Sequence, residues 1–385
     1  MLSLNRYACC LFMKTYFAPR MFDGNQMVLN RLIHTSEKQI EKVEDTTLSI
    51  PELEQQGVSI LQGLLVPGFI DLQINGGGGM QFNHTPTPEC LHTMFNAHAA
   101  TGTSAMFPTV ITDDIDVMKQ SADAVAQVRA EGIQGIAGVH FEGPHLSDSK
   151  KGMHEGKHIR PLSQEEMAIY CRKDMGQVIV TVAPETVSEE QIRQLVSHGI
   201  IVFLGHSNAS AEQANEALSA GAIGFTHLFN AMSGFTGRAP GLVGSAMASA
   251  DAYAGIIADM IHVSPISLQA AYRALGSHRL FLVTDAMAPS ASSHTSFNYG
   301  DDTIYLKDGK LLTSEGHLAG SVLALVEALQ NAHFKAHIPL QECLKMLTST
   351  PARAANIHQK FGAIKPGYAN AMLVLDEHLT VLPIP

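Results

Sequence analysis

Apolar runs of four to seven residues recur along the middle of the chain, at 68–73, 104–109, 136–142, 178–184, 200–205, 224–227, 254–259 and 280–284. They are continuous rather than alternating, the pattern of strands buried on both faces in a parallel sheet. Between them lie segments with apolar residues three and four apart, at 89–100, 116–131, 164–171, 189–198, 211–220 and 265–275, which predict amphipathic helices. The segment from His206 to His227 is compact: SNASAEQANEALSAGA has a Ser/Asn start, an alanine-rich helix and a glycine stop. Eight strands alternating with helices predict an α/β fold, a (β/α)8 TIM-like barrel.

The chain has 385 residues, enough for a barrel of about 250 and a smaller module. The expected organisation is a barrel over 67–361 and a small β domain from both terminal segments, 13–66 and 362–385. Strands in the polar N-terminal part are hard to place, and VLPIP shows no obvious final strand. IYLKDGKLLT predicts an inserted hairpin near 303–313, turning at Asp308 and Gly309. Helices are expected at 322–334 and 340–348. Residues 1–12 read as an extension or the product of an upstream start, with Met13 as the alternative start.

Four polar residues fall where predicted strands end: Glu142 in VHFEGPH, His206 in VFLGHSNA, His227 in GFTHLFNAM and Asp285 in FLVTDAMAP. A lone strand-terminal histidine is usually structural, and a lone aspartate before a turn is usually a helix cap. Four in series point to one cause, because the C-terminal ends of all strands of a barrel meet at one face. Two imidazoles and a carboxylate can hold a divalent cation, and a separate aspartate can move protons. The net charge of −11, with no basic run, argues against a general nucleic-acid binder. No stretch is long and apolar enough to span a bilayer. Cys9, Cys10, Cys90, Cys171 and Cys343 form no metal-knuckle spacing, and so sparse and odd a set suits a reducing cytoplasm.

VPGFIDLQINGGGG, HFEGPHLSDSKKGMH, LGHSNA, THLFNAMSGFTGRAPG, IIADMIHV, LVTDAMAP and LAGS resemble, in order and spacing, the N-acetylglucosamine-6-phosphate deacetylase family of the amidohydrolase superfamily, over about residues 65–355. The resemblance implies hydrolysis of N-acetyl-D-glucosamine 6-phosphate to D-glucosamine 6-phosphate and acetate, in amino-sugar catabolism. It implies that Glu142, His206 and His227 bind the metal and that Asp285 is the acid/base. His154 would polarise the acetyl carbonyl, and His262 would lie beside the sugar. Asn230, Ala231 and Arg238 would hold the phosphate, an arginine fork giving two directed hydrogen bonds. Met153, Leu318, Ala319 and Gly320 match further substrate-contacting positions. Gln73 and Asn75 stand where many members of the superfamily carry His-x-His, and amides are poor ligands, so one metal per subunit is expected. Zinc is the expected ion, with iron, cobalt or manganese as alternatives, and a homodimer is implied.

His140 shares a strand face with Glu142, but packing inside the barrel explains it equally well. The same reaction on N-acetylgalactosamine 6-phosphate differs at one hydroxyl that no motif reads. A cyclic-amide hydrolase, a noncatalytic scaffold and an iron oxygenase are competing readings. Arg238, the intact Asp285 and the eight strand-helix units weigh against them.

Overall fold

The computed structural model describes residues 13–300 and 302–385. Eight parallel strands form its central sheet: β1 (Phe69–Ile74), β2 (Thr103–Ile111), β3 (Gly138–Glu142), β4 (Gln177–Val182), β5 (Ile201–Leu204), β6 (Gly224–Phe225), β7 (Tyr253–Ile257) and β8 (Leu280–Val283). Neighbours in sequence are neighbours in the sheet. The first and last strands meet just past the end of β8, where Ile74 bridges Ala286, Asp285 N–H donates to Gln73 O at 3.0 Å and Asn75 N–H donates to Ala286 O at 2.9 Å. The sheet thus closes into a barrel beside Asp285.

Helices pack around it as the sequence periodicity predicts, with ends shifted by one or two residues. Ser163, Ser188 and Ser210 each begin a helix with a capping box, paired with Glu166, Gln191 and Gln213, and Ser264 caps Pro265–Leu275. Each serine oxygen satisfies a backbone N–H that the first helical turn leaves open. One barrel helix, Gly241–Ala248, has no counterpart in the periodicity. Its sequence, GLVGSAMA, is buried along most of its length and carries no polar stripe from which a helical period could be read.

The expected helix over 322–334 is shorter and divided. Leu325–Gln330 is α-helical, and Asn331–Lys335 is a π-helical turn. Ser321 bonds across to the end of β8, its Oγ to Thr284 O at 2.6 Å and its N–H to Asp285 O at 2.9 Å. That extended segment delays the helix. Near 303–313 the expected hairpin is present as Asp302–Lys307 and Lys310–Leu312, with Asp308 and Gly309 both at positive φ in the turn. A third strand, Ser296–Tyr299, extends it.

Both ends of the described chain join one seven-stranded sheet, ordered Val381–Leu382, Met372–Leu375, Leu64–Pro67, Lys14–Phe22, Met27–Thr35 and Ile40–Asp45, with Ser59–Ile60 alongside Lys14–Phe22. The terminal VLPIP does supply a strand, contrary to expectation, a two-residue edge strand too short to show in an apolar pattern. Leu64–Pro67 runs directly into β1, so the sheet sits against the barrel. Among the described residues no helix is long and apolar enough to cross a membrane. Cys90 and Cys343 are buried, Cys171 is half-buried and all three are free thiols. Cys9 and Cys10 lie outside the described residues.

Candidate active site

The four strand-terminal residues gather at one mouth of the barrel. Glu142 closes β3, while His206, His227 and Asp285 each lie two residues beyond β5, β6 and β8. Those three have φ of +46°, +32° and +52°, a left-handed conformation costing on the order of 1–3 kcal/mol for a residue with a side chain. Neighbouring backbone holds it in place. Ser207 N–H donates to Ala231 O at 3.1 Å and Ser233 N–H to Ser207 O at 3.0 Å, which ties the loops after β5 and β6 together. Glu185 receives Ser207 Oγ at 2.6 Å and Asn208 N–H at 2.7 Å.

Three ligand atoms converge. Glu142 Oε1 lies 3.1 Å from His206 Nε2 and 2.9 Å from His227 Nε2, and the two nitrogens are 3.0 Å apart. All three side chains are buried. Lone pairs so close repel unless positive charge lies among them. The electrostatics agree: burial opposes the charge on Glu142, yet the two imidazoles against it, His206 and His227, hold its carboxyl well below the usual range. Burial likewise disfavours charge on His227, but the bond to Glu142 raises its pKa. His206 Nδ1 donates to Lys150 O at 2.9 Å, because a carbonyl only accepts, and that leaves the lone pair on Nε2. The group fits a divalent metal ion.

His154 stands at the edge of this cluster, with its ring 4.3 Å from that of His206. It too lies close enough to Glu142 and His206 to form a ligand triple. Its Nδ1 is engaged by Thr112, whose N–H donates to it at 3.3 Å and whose Oγ1 lies at 2.8 Å; with Nδ1 accepting, the imidazole proton sits on Nε2. Burial, together with the nearby His206, keeps the ring well below the ordinary histidine pKa and therefore neutral. His140 is fully engaged, with Nδ1 on Leu72 O at 2.9 Å and Nε2 on Thr181 Oγ1 at 2.7 Å, and burial lowers its pKa to about 4. It belongs to the barrel interior.

Asp285 is half-buried beside the cluster, and desolvation followed by the charge of Glu142 raises its pKa to about 6. The segment at 318–320 runs alongside: Gly320 has φ +66°, and a Cβ there would meet Met287 Cγ at 2.5 Å. Ala319 and Met153 pack in one apolar cluster beneath the three-stranded hairpin, and Leu318 is partly exposed. His262 is fixed by Asp259, whose Oδ2 accepts from Nδ1 at 2.6 Å and whose Oδ1 accepts from two backbone N–H groups. Asn230 turns its amide back onto His227 O and Leu228 O, and Ala231 has φ +49°. Arg238 is exposed on the loop at 234–239 and makes no hydrogen bond or ion pair among the described residues. Thr112, Lys150 and Asp259, which hold His154, His206 and His262, were not singled out in the sequence. Only Asp259, three residues before His262, leaves a local signal.

An amidohydrolase family model matches residues 64–384. The chain belongs to the amidohydrolase family. This amidohydrolase is 47% identical over 325 residues to an N-acetylgalactosamine-6-phosphate deacetylase of Shewanella sp. (strain ANA-3), covering 84% of this chain and 82% of that protein. It is 34% identical to an N-acetylglucosamine-6-phosphate deacetylase of Haemophilus influenzae, covering 86% and 89% of the two chains. Its fold superposes on the crystal structure of N-acetylglucosamine-6-phosphate deacetylase from Pasteurella multocida with a TM-score of 0.90, at 32% identity, over 96% of this chain and 97% of that one.

Proposed function

We propose that this amidohydrolase removes the acetyl group from N-acetyl-D-glucosamine 6-phosphate, releasing D-glucosamine 6-phosphate and acetate. The observation that carries the reading is the convergence of Glu142 Oε1, His206 Nε2 and His227 Nε2 beside a separate, half-buried aspartate. Those three residues would hold one divalent ion, with zinc the proposed metal. When bound, such an ion supplies Lewis acidity, acidifying water and polarising a carbonyl. Asp285 takes the proton of the attacking water and returns it to the leaving amine. Its pKa of about 6 suits both transfers near neutrality. His154, neutral and protonated on Nε2, donates to the acetyl oxygen and steadies the charge that develops there. Because Asp285 must begin ionised, kcat/KM should fall as pH drops through its pKa, with the acidic limb at or below about 6, since a bound cation lowers it further.

Arg238, Asn230 and Ala231 are proposed to take the sugar phosphate, with His262, Met153 and the backbone of Leu318, Ala319 and Gly320 around the sugar. Arg238→Ala should then weaken the phosphorylated substrate by about ten- to a hundredfold and leave unphosphorylated N-acetylglucosamine little changed. Equal losses on both would mark the arginine as structural. A second reading has its own support: the 47%-identical Shewanella relative is named for the galactosamine sugar, whereas the Haemophilus glucosamine relative is 34% identical. Acetate release from both 6-phosphates, with and without chelator, decides the epimer and the metal requirement together. No release from either would sink the reading. A cytoplasmic homodimer is the proposed setting, and light scattering of the purified protein tests the assembly.

A further inference from the structure

Two carboxamides line the seam where β1 meets β8. Gln73 lies in β1 and Asn75 one residue past its end, and both amides point to the same carboxylate, Asp285. Gln73 Nε2 donates to Glu142 Oε2 at 3.0 Å and to Asp285 Oδ1 at 3.2 Å. Asn75 Nδ2 donates to the same Asp285 Oδ1 at 2.7 Å. Gln73, Asn75 and Glu142 are buried and Asp285 is half-buried. The oxygens are therefore divided: Glu142 turns Oε1 to the two imidazoles and Oε2 to Gln73, and Asp285 gives Oδ1 to the amides and keeps Oδ2 clear of them.

We propose that Gln73 and Asn75 are positioning residues, Asn75 fixing Asp285 by Oδ1 so that Oδ2 carries the proton, and Gln73 bridging Asp285 to Glu142 so that Oε1 faces the imidazoles. Two carboxylates held near each other in an apolar barrel repel, and buried N–H donors offset that repulsion without adding a titrating group. An amide suits the task because it donates at every physiological pH, whereas an imidazole's donor state changes with protonation and with metal. Asn75 Oδ1 is buried without a hydrogen-bond partner among the described residues, so this side chain's polar contact is its donation to Asp285. The role given to Asp285 rests on the deacetylase reading. The role given to Gln73 on Glu142 does not.

The experiment combines steady-state rates on both N-acetylhexosamine 6-phosphates with calorimetric titration of zinc into the metal-stripped full chain. It uses Asn75→Ala, Gln73→Ala, Asp285→Asn and the double variant Asn75→Ala/Asp285→Asn. Loss of the Asn75 donor should lower kcat about ten- to a hundredfold, with KM within about twofold and zinc affinity unchanged. Gln73→Ala should lower kcat similarly and also weaken zinc about ten- to a hundredfold, the usual cost of losing a group that orients a ligand. On the Asp285→Asn background, Asn75→Ala should cost nothing more, because it acts through that carboxylate. Full turnover in Asn75→Ala, or an equal further loss in the double variant, would overturn the proposal. Should the alanine variant not fold, Asn75→Ser repeats the comparison. If the wild type releases no acetate, the deacetylase reading falls, while the zinc titration still decides Gln73: unchanged affinity in Gln73→Ala overturns its part.

Discussion

Asp285 has its N–H on Gln73 O and its carbonyl on Ser321 N–H, so its backbone is held independently of what the side chain does. Asp285→Asn therefore keeps the residue in place and removes only the carboxylate proposed as the base. Turnover should fall about a hundredfold or more, while zinc content, measured by elemental analysis of the same preparation, stays near one per chain. Loss of zinc in that variant would make Asp285 a ligand. Residues of this kind were legible before any coordinates because a barrel gathers its strand ends: Glu142, His206, His227 and Asp285 each follow an apolar run. What their neighbours do was not legible. Which nitrogen of His154 carries the proton depends on Thr112 at the end of β2, and that of His206 on Lys150 O in a different loop. Such partners are remote in sequence and of ordinary residue types. Gln73 and Asn75 could be read as poor ligands, but their aim at Glu142 and Asp285 required the closed seam.

At the scale of elements, the same seam holds a carboxylate that the proposed chemistry does not use. Asp71 lies in the middle of β1, fully buried, and accepts from Thr284 Oγ1 at 2.6 Å, Thr284 N–H at 3.3 Å and Gln73 N–H at 3.1 Å. Those bonds favour the ionised form, but burial outweighs them and raises its pKa to about 7. The unfolded chain releases this proton near 3.9, so between about pH 4 and pH 7 the folded state binds more protons than the unfolded one. Asp71 should therefore make stability fall as pH rises across that window, by up to about 1.4 kcal/mol per pH unit, and level off above it. Urea unfolding of wild type and Asp71→Asn at several pH values checks this: the variant should flatten the decline, and parallel curves would refute it. Eight strands and most helices were legible because burial on two faces or on one stripe writes a period into the sequence. Gly241–Ala248, buried along most of its length, and Val381–Leu382, two residues long, write none.

For the whole molecule, the question is whether the terminal sheet and the barrel are separate folding units, as the division at 67–361 and its flanks implies. Their cores are joined. Phe22, Leu64, Val66 and Leu375, all from the terminal sheet, pack in the same apolar cluster as the barrel strands and their helices. Gly68 N–H donates to Ala371 O at 2.8 Å just before β1 begins, and a Cβ on Gly68 would meet Ser104 Oγ at 2.1 Å. A strand that ends in one sheet and starts the next transmits loss of order from either side to the seam, and hence to Gln73, Asn75 and Asp285. We therefore expect one cooperative unfolding transition rather than two. Leu375→Ala, which empties a fully buried site in the terminal sheet, should cost about 2–5 kcal/mol. It should lower the midpoint of that single transition without splitting it. Differential scanning calorimetry on wild type and variant distinguishes the cases, since two resolved transitions, with only the lower one moved by Leu375→Ala, would mean that the sheet folds apart from the barrel.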